Sequence, residues 1–189
     1  MYRIPMDPAK RQESFRLNEF ALWLSETYPS VLIQTHNGWM IPTIQSIHIA
    51  GIGIVLTSVF MMDLRILGLT GKDQTLRQTT QRFGPWLMWS LVVLLVTGVL
   101  MVIGEPVREL VTFSFWLKMF LVAVGTIVAA IFLRTLRKNE QGWEDAITKR
   151  FSIKLMAILT FLVWLAVVVL GRLIAYDHIW GTWSPAKRL

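Results

Sequence analysis

Pro42–Leu69 reads PTIQSIHIAGIGIVLTSVFMMDLRILGL, and between Ile44 and Met62 its only ionisable side chain is His48. A helix rising about 1.5 Å per residue needs about 20 apolar residues to cross roughly 30 Å of hydrocarbon. This stretch supplies them, so it predicts a membrane span running over Ile41–Met62. A polar or charged group held inside such a span is costly, roughly 2.5–3.5 kcal/mol for a charge on insertion scales. His48 therefore calls for a partner or a task.

Three further blocks follow the same pattern: Phe83–Ile103, Val111–Leu133 and Ile153–Ile174. Two of them also hold an ionisable residue, Lys118 inside the third span and Arg172 near the end of the fourth. The whole chain of 189 residues is 54% hydrophobic and only 16% charged, whereas a soluble domain carries about 25% charged residues. Short connections between the blocks predict an all-α fold, a transmembrane antiparallel four-helix bundle. An N-terminal segment (residues 1–40) precedes the bundle (41–176), and a short tail (177–189) follows it.

No cysteine is present. That excludes disulfides, thiolate metal sites, iron–sulfur ligation and c-type haem attachment. The opening MYRIPMDPAKRQESF lacks an apolar core and a cleavage site, so no removed signal peptide is expected. The net charge of +7 flanks the spans as topology signals do, which argues against nucleic acid as a partner.

Basic residues also suggest an orientation. Arg65, Lys72, Arg77 and Arg82 follow span one; Arg134, Arg137, Lys138, Lys149 and Arg150 follow span three. Spans two and three are joined with only Arg108, beside Glu105 and Glu109. The positive-inside rule then puts the two basic loops in the cytoplasm and both termini in the periplasm of a bacterial inner membrane. The first 40 residues hold four basic and four acidic side chains, so their net charge does not oppose translocation. Within them Leu17, Phe20, Ala21, Leu24 and Tyr28 recur at helical spacing, which predicts an amphipathic surface helix lying on the bilayer or docking on a partner. The segment RKNEQGWEDAITKR after span three reads as a polar loop or short helix serving as a connector.

On this topology His48 and Lys118 each lie about two turns into their spans from the same side of the membrane. Arg172 lies near the same end, followed by Tyr176, Asp177 and His178. Glycines at 51 and 53 let a backbone or a flat cofactor come close to the His48 helix. Neutral imidazole is the usual protein ligand of haem iron and also suits copper; a histidine hydrogen-bonded across helices is the bland alternative. Lys118 and Arg172 are suited to carboxylates, propionates or lipid phosphates, and each also has a plain reading, a snorkelling stem or an interfacial anchor. His36 and His178 are the candidates for a second axial ligand, with His48 and His178 the metal-binding pair. Met40 and Met101 lie where a thioether could reach copper or haem iron. Asp63 and Arg65 are two apart and do not share a helix face, so each is expected to pair elsewhere. Nothing suggests a phosphate-cradling glycine loop, a Ser–His–Asp arrangement or paired intramembrane carboxylates, so a hydrolase or an ATP-driven pump is not expected.

The run quoted at the outset, with GPW and TG in span two, FWLK opening span three and WLAVVVLGRLIAY closing span four, resembles a family of small bacterial four-span membrane proteins carrying a domain-of-unknown-function label. The resemblance covers roughly residues 36–176. It implies a membrane location, a four-span fold and His48, Asp63, Arg65, Lys118 and Arg172 as recurring polar positions. In layout the chain is remotely similar to b-type cytochromes and membrane copper-resistance proteins, but it departs from bis-histidine cytochromes in having a single histidine clearly within a span.

The leading expectation is a b-type haem protein passing electrons at the periplasmic side. His48 would be an axial ligand, and Lys118 with Arg172 would hold propionates. Two rivals are copper handling through His36, Met40, His48, Met101 and His178, and a cofactor-free accessory subunit of a larger membrane complex. An electron-transfer or accessory role is expected rather than catalysis. The partners expected are the bilayer and a periplasmic redox protein or complex, with room for an oligomer.

Overall fold

Long apolar runs without backbone partners in lipid must satisfy every N–H and C=O internally, and a helix does so within one segment. A computed structural model of the chain describes residues 8–36, 38–71, 73–149 and 151–174. Its elements are α1 (Pro8–Ser25), α2 (Tyr28–Thr35), α3 (Met40–Leu67), α4 (Leu76–Gly104), α5 (Pro106–Leu110), α6 (Phe113–Lys138), α7 (Glu140–Lys149) and α8 (Phe151–Leu173). The described residues contain no strand. Four helices, α3, α4, α6 and α8, are long and apolar enough to cross a membrane, as the sequence predicts. They form a helical bundle in which α3 packs most extensively on α4, and α8 on α3 and α6.

Three of the four helices outrun the apolar blocks. At about 1.5 Å per residue, the 28 residues of α3 exceed the hydrocarbon thickness, and its ends emerge into the polar layer. There local chemistry stops and starts the chain. Gly68 closes α3 in the left-handed region, φ 73°. The Gly68 N–H donates to Arg65 and the Leu69 N–H to Leu64, satisfying carbonyls that a bare helix end would orphan. Thr75 opens α4 with a reciprocal capping box to Gln78.

Exposure is inverted relative to a soluble bundle. Between 11% and 33% of each span's most apolar window is buried, and the outer faces are large apolar side chains such as Trp89, Leu95, Phe120 and Ile127. Lipid is the solvent that makes such a surface stable. The interior is layered along the bundle. A middle cluster joins Val55, Val59, Met62, Leu87, Ala129 and Trp164. One end is filled by Ala21, Leu110, Val111, Phe115 and Ile174, the other by Ile66, Leu76, Leu136, Ile147 and Ala157. Gly125 lets α6 meet α8: a Cβ there would sit 3.2 Å from the Trp164 ring.

The two ends differ in what caps them. At the α5 end, α1 lies on α5 and α2 on the end of α4. Ala21 is fully buried, and Ser30 donates to the Ile103 carbonyl at 2.6 Å. The amphipathic segment thus docks on its own bundle while Phe20, Leu22 and Trp23 stay outward. Helix α1 stops before Tyr28 because Pro29 opens a new helix, so Tyr28 leaves the α1 face and is exposed. Val111 and Thr112 link α5 to α6 and are buried; the third span begins at Phe113 rather than Val111. At the α7 end, the expected connector is a ten-residue helix that clamps the loops, as described below.

Candidate functional site

His48 and Thr97 face each other across the α3–α4 contact. The imidazole Nδ1 lies 2.7 Å from Thr97 Oγ1, and Thr97 Oγ1 lies 2.7 Å from the Val93 carbonyl. A threonine hydroxyl has one proton, and a carbonyl can only accept. The hydroxyl therefore donates to Val93 and accepts from Nδ1–H. This fixes the tautomer and leaves the Nε2 lone pair unclaimed by Thr97. Gly98 forms the adjoining wall: a Cβ there would be 3.8 Å from His48 Cε1.

Lys118 lies half-buried on α6, and its charge acts on His48. Its stem runs beside Gly171 of α8, where a Cβ would stand 3.5 Å from Nζ. A lysine so placed inside the bundle needs a counter-charge. The carboxylate whose charge acts on it is Glu109, on the short helix α5 and only 5% exposed, at longer range than a direct ion pair. Burial raises the Glu109 carboxyl above its ordinary range; Lys118 and Arg108 pull it back down, and Glu105 adds to the rise. Arg108 is itself hydrogen-bonded to Glu105 at the surface, which leaves Glu109 to the interior. Thr112 donates to the Glu109 carbonyl and the Trp116 indole to the Leu110 carbonyl, pinning this turn against the start of α6.

Two of the predicted site residues, His48 and Lys118, are thus brought together. Arg172 is exposed at the last turn of α8 and engaged in an interaction of its own. Its neighbour Gly171, rather than the guanidinium, meets Lys118. His36 is exposed at the end of α2, its Nδ1 3.1 Å from the Leu32 carbonyl and its ring edge-on to Trp39. No described contact links His36 to His48. His178, with Tyr176 and Asp177, lies outside the described residues. Among the described residues no group of three His, Asp or Glu side chains could hold a metal ion. Met40 and Met101 are both half-buried at the α5 end.

Sequence reasoning missed Glu109. It reads as loop charge beside Arg108, and only the need of Lys118 for a counter-ion could have singled it out. The reading of Arg65 holds at the opposite end, where it pairs with Glu144 of α7 at 3.1 Å and donates to the Gln74 carbonyl at 2.8 Å. Glu144 also accepts from the Leu76 N–H, and Arg77 pairs with Glu140. Asp63, expected to find a partner in another loop, has none for its Oδ2.

No match was found among curated proteins or among solved structures. Over residues 20–177 the chain matches, and belongs to, a family of unknown function, DUF6644.

Proposed function

We propose that this chain is a membrane b-type haem protein that carries electrons at the α5 end of the bundle, with His48 as an axial ligand. The observation that carries the reading is the Thr97 bond. Iron-ligating histidines donate their second ring N–H to a fixed acceptor, which orients the ring and sets its basicity; Nδ1–H to Thr97 has that form. His48 would supply an imidazole nitrogen to the iron, and Gly98 and Gly171 present no side chain toward the imidazole and the ammonium. Lys118 would face an anionic propionate, with Glu109 setting how much positive charge it offers. A bound haem would supply a one-electron centre; the protein's part is to orient His48, exclude water and hold the charge balance.

The test is a reduced-minus-oxidised absorption spectrum of protein purified from haem-replete cells. Sharp α and Soret bands that vanish in His48→Ala support the reading. Their absence from folded wild-type protein overturns it. In that event a second reading takes its place, a cofactor-free accessory subunit. The observation in its favour is that His48 already has Thr97 as a hydrogen-bond partner within the chain. It predicts co-purification with a larger complex and no chromophore. Copper at Nε2 would instead appear as stoichiometric metal that survives mild chelation.

A further inference from the structure

A second buried carboxyl lies far from His48. Asp63 sits near the α7 end of α3, 7% exposed, and its Oδ2 has no hydrogen-bond partner. Its chain neighbours show what surrounds it: Met62 belongs to the middle apolar cluster and Ile66 to the cluster at the α7 end. Asp63 therefore lies at the level where the middle apolar cluster gives way to the one at the α7 end.

Most of the described charges of that end are engaged elsewhere or turned outward. Arg65, on the same helix, goes to Glu144 and the Gln74 carbonyl. On α4, Arg77 pairs with Glu140 and Arg82 lies over the Phe83 ring. Arg134, Arg137 and Lys138 of α6 and Asp145 of α7 are exposed, and Lys154 of α8 is half-buried. No charged side chain among them acts on Asp63; burial alone does. The buried hydroxyls of α4 at this end donate to their own helix, Thr79 to the Thr75 carbonyl and Thr80 to the Arg77 carbonyl.

An ionised carboxylate with one oxygen buried and without a hydrogen-bond partner is the less stable form of this group. Two species would relieve it. A metal cation needs a shell of about six oxygens, and the described residues offer no cluster of that kind. A proton needs only the orphaned oxygen. We propose that Asp63 is a proton-binding site: a neutral carboxylic acid that takes up and releases its proton at the α7 end of the bundle. This is independent of any cofactor at His48.

Infrared spectroscopy of the detergent-purified full chain reads the protonated acid directly, as a carbonyl band above the amide region. Aspartate labelled with 13C at the carboxyl separates this band from that of Glu109. The expected result is an isotope-shifted band at neutral pH, absent from Asp63→Asn and lost on raising the pH. No shifted band in folded wild-type protein overturns the proposal. Should Asp63→Asn fail to fold, the isotope shift and titration in the wild type decide alone. Dicyclohexylcarbodiimide gives a second readout. The acid's proton passes to a carbodiimide nitrogen while its oxygen bonds to the central carbon, and acyl migration leaves an N-acylurea with no group expelled. Peptide mapping should find one reagent mass on Asp63, declining as pH rises and insensitive to Na+ or K+. Protection by either ion would overturn the proton reading in favour of a cation site.

Discussion

The two ends of the bundle treat charge in opposite ways. At the α7 end the ionised side chains stand in the polar layer and tie elements together, as Arg65 with Glu144 and Arg77 with Glu140 do; the acid that is buried there, Asp63, has no hydrogen-bond partner for its Oδ2 among the described residues. At the α5 end Glu109 is buried and Lys118 half-buried, and the charge of Lys118 acts on both Glu109 and His48. Paired charges at the rim act as clamps whose worth is set by solvent screening. Charges inside the bundle are costly unless matched, so those of the α5 end should respond to substitution differently from those of the rim.

Substitutions should reproduce that contrast. Lys118→Met removes the cation whose charge acts on the buried Glu109 carboxyl, and should lower stability at neutral pH more than the rim substitutions that follow, read from denaturation in detergent. A loss below about 1 kcal/mol would place Lys118 with the rim charges instead. Glu144→Ala should come next. It removes the acceptor of both the Leu76 N–H and Arg65, and leaving such groups unsatisfied costs about 1–3 kcal/mol. Arg77→Ala should cost least, about 0–1 kcal/mol, because that pair is largely solvent-exposed; its effect should shrink further in high salt.

Acidity separates the ends as well. Glu109 binds its proton more tightly in the folded protein than in the unfolded chain, since burial raises it from 4.5. Its contribution to stability is therefore fully present below about 4.5 and is lost as pH rises through the higher folded value. Thermal melts should show the wild type gaining stability on acidification from neutral pH relative to Glu109→Gln. Parallel curves for the two proteins would contradict the burial of an ionisable Glu109.

The spans were legible because lipid imposes one rule on every residue facing it: about 20 apolar positions per crossing. His48 and Lys118 were legible for the same reason, as violations of that rule. What the pattern could not convey is partnership. Glu109 lies outside every apolar block, next to Arg108, and its burial follows from α5 folding under α1, a tertiary event with no local signature. The α7 clamp was hidden likewise: Glu144 is one acid in a polar stretch, and its meeting with Leu76 joins residues that are far apart in the chain. Arg172 and His36 show the converse. Both residue types suit a haem site, but helix register sends Arg172 outward, and the end of α2 leaves His36 on the surface.

A double-mutant cycle on Lys118 and Glu109 tests most directly the claim that these two charges act on each other at the α5 end. Unfolding free energies of Lys118→Met, Glu109→Gln and the double variant are compared with the wild type. A matched pair predicts strong non-additivity, the double variant being more stable than Lys118→Met alone because no carboxylate is left stranded. Additive losses would contradict the account and return both residues to independent surface roles.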